Sequence, residues 1–299
     1  MKLKRREFLR GAVMTAAGAA LDCLPLPVYA IKRGFYSPVR IVIGSDAAAN
    51  TRKAIDMLGG MEKFVKPGQK VFIKPNCIST NQPESAVNTN PAVVAEIVHL
   101  CRKAGACEIL YMGHDQSRVW ESNGIGNAFY AYGGKIIDAN NREQYLPVKL
   151  PRGLILRETM MVKELLEADV FINIPIAKHH AGTQLTFCLK NYMGLVWDRL
   201  IMHRTDIHQA IADLATARPA DLAVIDATRM LLTNGPSGPG TVRVENTIIA
   251  SPDMLAADAV TASLFKVEPG SVRHIKAAYD LGLGEIDERE MQVERLVLE

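Results

Sequence analysis

The sequence predicts an α/β protein with a mainly parallel mixed sheet and helices on both faces. Three observations support this prediction. Short apolar runs alternate with helical patterns between residues 39 and 266. The apolar runs are rich in Val, Ile and Phe, as expected of strands buried on both faces. The chain of 299 residues, 48% of them hydrophobic and 22% charged, is long enough to bury a substantial core.

The first half contains four predicted strands. The apolar run VRIVIG predicts a strand over residues 39–44, and a helical pattern follows over 48–65, broken near a pair of glycines. The helix predicted over 90–105 has Pro91 in its first turn and Gly105 at its C-terminal end. The remaining predicted elements are strands over 69–76, 107–113 and 135–139 and a segment over 119–134 that is helical near its end.

The second half continues the alternation. Its predicted elements are a helix over 160–169, a strand over 170–174, a helix over 207–218, strands over 220–228 and 247–251, and a helix over 253–266. Asp253 is a good N-cap for the last helix. Residues 140–159 are the weakest joint, which leaves a division into two lobes open. We otherwise expect one α/β domain over residues 31–299.

The N-terminus predicts an export signal. Residues 1–30 combine a basic start, a short apolar run and small residues at positions 28 and 30 that suit a signal peptidase. The motif RREFLR, which begins at Arg5 and Arg6, resembles a twin-arginine signal. A frayed basic helix is the alternative. We therefore expect the twin-arginine translocase as a partner and export of the folded protein to the periplasm or another extracytoplasmic compartment.

The charge distribution excludes some partners. Five basic and two acidic side chains give residues 1–30 a charge of +3, which equals the charge of the whole chain. The segment that follows is therefore neutral and gives no reason to expect nucleic-acid binding. No stretch approaches the ~20 apolar residues that a membrane-spanning helix needs. No Walker or GxGxxG motif is present, so no nucleotide cofactor is expected.

Polar side chains follow two of the predicted strands. The run VFIKPN brings Lys74 and Asn76 to one strand end, and VFINIPIAKHH brings Lys178 and His180 to another. A third strand ends at Asp226. Ligands of parallel α/β sheets bind beyond the carboxyl ends of the strands. These side chains are therefore predicted to share one site, although any one of them alone would more often be a solvated strand end.

Several motifs in this order resemble the family known as domain of unknown function 362. They are KVFIKPN, PIAKHH, LTFCLKNYMG, AVIDAT, GPSGPG and ASPDMLAAD, over roughly residues 39–284. Some relatives carry a cysteine-rich iron–sulfur segment after this domain, and this sequence has no such cysteines at its end. The family assigns no reaction. The resemblance implies that the matching positions line one site: Lys74, Asn76, Lys178, His180, Lys190, Asn191 and Asp226.

The residue types suggest an anion site. Clustering of Lys74, Lys178 and Lys190 would lower their pKa values toward the range for base or Schiff-base chemistry. Asn76 and Asn191 can donate hydrogen bonds to a substrate oxyanion. His180 can move protons near neutral pH. The catalytic candidates are thus Lys74, Lys178, His180 and Lys190, and the substrate-binding candidates are Asn76, Asn191 and Asp226.

A metal site is a second hypothesis. Four of the seven histidines fall between residues 179 and 208, and two cysteines flank the same motifs. The spacing matches no known ligand pattern, and no Cys-x-x-Cys motif is present. Cys101 and Cys107 leave a disulfide open. The candidate ligands of a metal or an iron–sulfur cluster are His179, His203, His208, Cys77 and Cys188.

Three functions remain open at the level of sequence. The first is an exported enzyme that acts on a small anionic organic molecule. The second is a metal or iron–sulfur redox protein, and the third is a periplasmic binding protein without catalytic activity. The sequence names neither the substrate nor the reaction nor the oligomeric state.

The export hypothesis gives the first testable prediction. Changing Arg5 and Arg6 together to Lys is expected to leave the precursor in the cytoplasm, because the twin-arginine pathway reads the arginine pair. The measurement is the periplasmic yield of the protein. An unchanged yield would show that the protein does not depend on this pathway.

Overall fold

The computed structural model describes residues 37–113 and 117–299. Within these residues, ten strands form one sheet and two further strands form a separate pair. The strands are β1 (Ser37–Ile43), β2 (Lys70–Pro75), β3 (Glu108–Gly113), β4 (Lys135–Asp138), β5 (Tyr145–Lys149), β6 (Glu158–Val162), β7 (Val170–Ile174), β8 (Ile176–His180), β9 (Gln184–Thr186), β10 (Leu222–Leu231), β11 (Val242–Ser251) and β12 (Met291–Val297). The predicted signal over residues 1–30 lies outside the described residues.

The helices lie between these strands. They are α1 (Ala47–Met57), α2 (Pro91–Lys103), α3 (Ser117–Ser122), α4 (Ile125–Tyr130), α5 (Lys163–Glu167), α6 (Cys188–Asn191), α7 (Leu200–His203), α8 (Ile207–Ala215), α9 (Met254–Leu264) and α10 (Arg273–Asp280). Short 3-10 turns cover Met61–Lys63, Pro83–Ser85, Arg142–Gln144, Tyr192–Leu195, Pro269–Ser271 and Glu288–Glu290. Within the described ranges, no helix combines the length and hydropathy that a membrane crossing requires.

The sheet is mixed and mainly parallel. Its main order is β12-β1-β11-β10-β7-β2-β3-β4, with β8 beside β10 and β9 beside β8. Strands β10, β7, β2, β3 and β4 run parallel to one another, as do β1 and β12. The hairpin β10–β11 and the pairs β1–β11 and β8–β9 are antiparallel. The predicted fold class is confirmed.

Two apolar clusters cover opposite faces of the sheet. Along β2, Val71 and Ile73 pack into one cluster and Phe72 into the other, as the alternation of side chains along a strand requires. Helices α1 and α2 add Ile55 and Ile97 to the first cluster. Helices α8 and α9 contribute to the second. Helices on both faces therefore bury the continuous apolar runs that the sequence shows.

Side chains cap the N-termini of two long helices, and Asp253 does so as predicted. Asn90 precedes Pro91, and its side chain accepts a hydrogen bond from Ala92 N at 3.0 Å. The carboxylate of Asp253 accepts from Leu255 N at 2.9 Å. Such side-chain caps satisfy backbone donors that have no partner within the helix.

Several boundaries differ from the prediction. Residues 160–169, predicted as one helix, begin as the end of β6 and continue into the short α5. The segment MMV pairs with β5, and this tertiary pairing overrides its helical pattern. Residues 119–134 form two short helices instead of one, and α1 ends at Met57. Strands β10 and β11 are longer than predicted because they form a hairpin.

Candidate functional site

A cleft of about 940 Å³ lies at the carboxyl ends of β2 and β7. Its deepest lining residues are polar and almost completely buried. Lys74 is 4% exposed, Asn76 7%, Lys178 1% and Asn191 3%. Lysine is rarely buried to this extent unless it has partners. These buried polar residues, together with Lys190, are called the floor of the cleft below.

The strand register explains how the floor is assembled. Strands β2 and β7 are parallel neighbours, with Lys74 opposite Asn173. The side chain of Lys74 lies on the same face of the sheet as that of Phe72, two residues earlier. Asn76 and Lys178 follow from the chain just beyond the two strand ends. Residues that lie about a hundred positions apart in sequence thus meet at one edge.

A network of amides joins these strand ends. Asn191 Nδ2 donates to Lys74 O at 3.1 Å and to Asn173 Oδ1 at 2.8 Å. Asn76 Nδ2 donates to Asn191 Oδ1 at 3.1 Å. Both amide hydrogens of Asn191 are therefore used within the protein. Asn191 positions the floor, and it has no amide hydrogen left for an oxyanion.

Lys178 is the most deeply buried cation of the cleft. Its Nζ donates to Asn76 Oδ1 at 2.9 Å and to Val87 O at 2.7 Å. Burial lowers the pKa of Lys178 to about 7, and the positive charges of Lys190 and Lys74 add to the effect. The amine and the ammonium are therefore comparably populated at neutral pH.

Lys74 enters the cleft beside a glycine. Its Nζ donates to Pro75 O at 2.6 Å and lies 5.1 Å from the centroid of the Tyr111 ring. A side chain at Gly194 would meet Lys74, since a Cβ there would lie 2.9 Å from Cε and 3.1 Å from Nζ. The glycine therefore leaves the space through which Lys74 reaches the cleft.

Lys190 is presented by the short helix α6. Cys188 N and Leu189 N, at the start of this helix, donate to the two carboxylate oxygens of Asp258 at 2.7 and 3.0 Å. Burial lowers the pKa of Lys190 to about 8, with a smaller contribution from the charge of Arg199. Asp258 thus anchors the helix that carries both Lys190 and Asn191.

His180 is a neutral hydrogen-bond donor at physiological pH. Burial, together with the charges of Lys190 and Lys178, lowers the pKa of His180 to about 4. Its Nδ1 accepts from Gly182 N at 3.0 Å. A neutral imidazole with an accepting Nδ1 carries its proton on Nε2. His180 lines the cleft in this tautomer.

The cleft is strongly cationic. Five lysine and arginine side chains line it, against the single carboxylate of Asp198, counted over the described part of the chain. Asp198 is engaged at the start of α7, where its Oδ1 accepts from Leu200 N at 3.1 Å. Positive side chains therefore outnumber carboxylates among the described residues that line the cleft, and an anionic ligand would offset this charge.

The proposed metal ligands do not converge. Cys77 and His203 line the cleft, whereas His179 Nδ1 accepts from Gly235 N at 3.1 Å. The thiol of Cys188 is buried, and burial raises its pKa well above the usual value. His208 stacks on another histidine, with ring centroids 6.0 Å apart. Over residues 37–113 and 117–299, no three His, Cys, Asp or Glu side chains are grouped closely enough to hold a metal ion.

Asp226 accepts hydrogen bonds from groups other than the lysines. Its carboxylate accepts from Asn90 N at 2.7 Å and from Thr228 N and Oγ1 at 2.9 and 2.7 Å. Along β10 it shares a face with Val224, which packs in the cluster opposite Phe72. Strand alternation therefore directs the side chain of Asp226 toward Asn90, the residue before α2. Burial raises the pKa of its carboxyl group. It does not line the cleft as the sequence analysis expected.

The two neighbouring cysteines remain thiols. Cys101 is buried within α2, and Cys107 is exposed, with its Sγ 3.1 Å from Gly68 O. Within the described ranges, these two residues form no disulfide. Burial raises the pKa of Cys101 well above the usual value for a thiol, so the thiol stays protonated at neutral pH.

Sequence reasoning missed part of the cleft wall. Trp197 and Arg199 line it, and both follow the motif LKNYMG within a few residues. Their position close to this motif is the sequence feature that could have indicated them. Arg142 and Met160 also line the cleft, from the segment interpreted as a weak joint and from the strand that follows it. No local pattern marks these two. Met160 lies in the β5–β6 pair, and Arg142 lies in the turn that precedes β5.

These features define an α/β protein with a lysine-rich cleft at the carboxyl edge of its sheet. A profile of the family described as domain of unknown function (DUF362) matches residues 71–263. The chain belongs to this family, and the match includes every lysine of the cleft floor.

Individual similarities are more distant. The chain is 29% identical over 254 residues to a thylakoid-associated protein of Synechocystis sp., covering 79% of this chain and 75% of that protein. The lactate racemase apoprotein of Thermoanaerobacterium thermosaccharolyticum superposes with a TM-score of 0.47 at 13% identity, over 81% of this chain and 58% of that one. A structural-genomics protein of Thermotoga maritima gives a TM-score of 0.46 at 12% identity, over 73% and 59%. The chain spans less than two thirds of either solved structure, and likeness at this level assigns no activity.

The buried lysine gives a prediction about stability. The folded-state pKa of Lys178 lies below its unfolded value, so the unfolded chain binds more protons between about pH 7 and pH 10. The free energy of unfolding is therefore expected to rise with pH in this window, by up to about 1.4 kcal/mol per pH unit from this group. Lys178→Met is expected to reduce the slope between pH 7 and pH 9.

The measurement is urea denaturation of both proteins across this range. Lys53→Met, at an exposed position of α1, is the matched control and should keep the wild-type slope. Equal slopes in wild type and Lys178→Met would mean that Lys178 has an ordinary pKa.

Proposed function

We propose that this protein is an enzyme that binds a small organic anion on the lysines of the cleft and uses Lys178 to accept a proton from it. One observation carries the proposal. Lys74, Lys178 and Lys190 line one cleft in which Asp198 is the single carboxylate among the described residues. A bound anion would offset the charges that lower the pKa of Lys178.

The hydrogen bonds of Lys178 support its role as the proton acceptor. When the amine is neutral, its two hydrogens are used by Asn76 Oδ1 and Val87 O. The lone pair of Nζ is then left to accept a proton. In the proposed step, a bond from carbon to hydrogen in the ligand breaks, its electron pair stays on the ligand, and the proton binds to Nζ. A pKa near the working pH is the favourable value for such a base.

Two neighbours complete the proposed site. Lys190 and Lys74 would hold the anionic group and stabilise the negative charge that develops on the ligand. His180 would donate a hydrogen bond from its Nε2–H group to the ligand, and its low pKa keeps the imidazole uncharged. This assignment differs from the acid–base role that the sequence suggested for a histidine.

We further propose that the protein acts outside the cytoplasm. The support is the RREFLR motif near the N-terminus and the small residues at positions 28 and 30. Export through the twin-arginine pathway would deliver the α/β protein already folded, with its cleft formed.

Anion binding is predicted to be coupled to proton uptake. An anion favours the charged form of Lys178, so at pH 8 acetate is expected to bind together with up to about one proton per molecule. Its dissociation constant should rise with pH by up to about tenfold per unit above the pKa. Titration calorimetry in buffers of different ionisation enthalpy measures the uptake.

The controls separate this coupling from general effects of charge. Lys178→Met should reduce the proton uptake to the part that Lys190, with a pKa of about 8, still contributes. Lys53→Met should retain the wild-type uptake. Binding without proton uptake in the wild type would contradict the proposed role of Lys178, and absence of binding would contradict the anion site.

Catalysis is tested by hydrogen exchange. An acid that binds is incubated with the protein in deuterated water, and NMR follows replacement of its carbon-bound hydrogen by deuterium. Exchange that is lost in Lys178→Met supports the enzyme. An acid that binds without any exchange in the wild type would support the alternative of a binding protein without catalytic activity.

A further inference from the structure

One wall of the cleft is apolar. Beside the lysine floor, the cleft is lined by Ile78, Met160, Met193, Trp197 and Leu200. Ile78 is 41% exposed and Leu200 is 62% exposed. Single exposed apolar residues are common on protein surfaces. Here five face one cavity, which makes the wall a feature of the site.

The wall is also partly fixed in place. The ring of Trp197 packs edge-on against Tyr145, with centroids 5.4 Å apart. Trp197 N donates to Met160 O at 3.0 Å, so the backbone of the wall is hydrogen-bonded to β6. Methionine side chains, in contrast, adapt to the shape of an apolar ligand. The combination is suited to a hydrocarbon or aromatic group of variable shape.

The size of the cleft exceeds the needs of a simple anion. Its volume of about 940 Å³ is in the upper range of sites for drug-sized ligands, which are typically ~300–1,000 Å³. Acetate on the lysine floor would leave the apolar wall in contact with water. A ligand that covers both parts gains hydrophobic stabilisation as well as charge pairing.

We infer that the ligand is an amphiphilic organic anion: its charged group lies on the lysine floor and a hydrocarbon or aromatic portion lies against Trp197 and its neighbours. This inference rests on the proposed function, because it takes the lysine floor as the anion site. It adds the chemical class of the ligand. The lysines of the cleft would pair with the charge of such a ligand, and the apolar side chains that line the same cleft would cover its hydrocarbon portion.

Three probes separate the contributions. Acetate carries the charge alone, hexanoate carries the charge and an alkyl chain, and hexanamide carries the chain alone. Titration calorimetry with the purified protein measures their affinities at pH 7. Fluorescence of a Trp120→Phe variant gives a second readout, since Trp197 is then the one tryptophan of the chain.

Hexanoate is expected to bind at least about tenfold more tightly than acetate, since each fully buried methylene contributes about fourfold. It should also bind more tightly than hexanamide and change the emission of Trp197. Equal affinities for hexanoate and acetate would overturn the amphiphile while the anion site stands. Equal affinities for hexanoate and hexanamide, or no binding of either acid, would overturn the proposed function itself.

A pair of surface variants localises the effect. Leu200→Gln is expected to reduce the preference for hexanoate over acetate by severalfold and to leave acetate binding unchanged. Leu154→Gln is the matched control, because Leu154 is 58% exposed and does not line the cleft. A preference that is equally reduced in both variants, or in neither, would contradict the placement of the apolar portion at this wall.

Discussion

The burial of Lys178 among other lysines is the constraint on which the cleft depends. A pKa near 7 instead of 10.5 corresponds to roughly 5 kcal/mol against the charged form. Among the residues that the structure describes, Lys178 Nζ has no carboxylate partner within hydrogen-bond distance. The fold provides two neutral acceptors, Asn76 Oδ1 and Val87 O, which bind the amine and the ammonium alike. The side chain can therefore be held in the same place in both protonation states.

The same amides connect this lysine to the rest of the sheet. Asn76 links Lys178 to Asn191, and Asn191 in turn bonds Lys74 O and the side chain of Asn173. One short chain of hydrogen bonds thus spans the ends of β2, β7 and α6. Loss of any member would leave a buried polar group unpaired, which typically costs about 1–3 kcal/mol. Positioning and stability are carried by the same contacts, so the network is expected to be rigid.

The sequence allowed prediction of the sheet and of the cleft floor, because buried strands and their polar ends are local patterns. Lys74 directly follows an apolar triplet, Asn76 lies two residues later, and Lys178 lies four residues after the buried strand that ends at Ile174. Parallel strands share an edge, so these residues could be expected to meet. Asp226 also ends an apolar run, but its side chain points to the opposite face, and a one-residue difference in strand alternation is not visible before the boundaries are known. The apolar wall could not be predicted either, since Met160 reaches it only through tertiary pairing.

The most direct test is the pKa of Lys178 itself, measured by NMR from the pH dependence of its ¹³Cε shift and assigned by comparison with Lys178→Met. The account predicts a midpoint near 7 in the free protein, which moves to higher pH when a carboxylate is bound. A midpoint near 10.5 that does not respond to the carboxylate would contradict the account. Lys178 would then be charged at neutral pH and would have no lone pair with which to accept a proton.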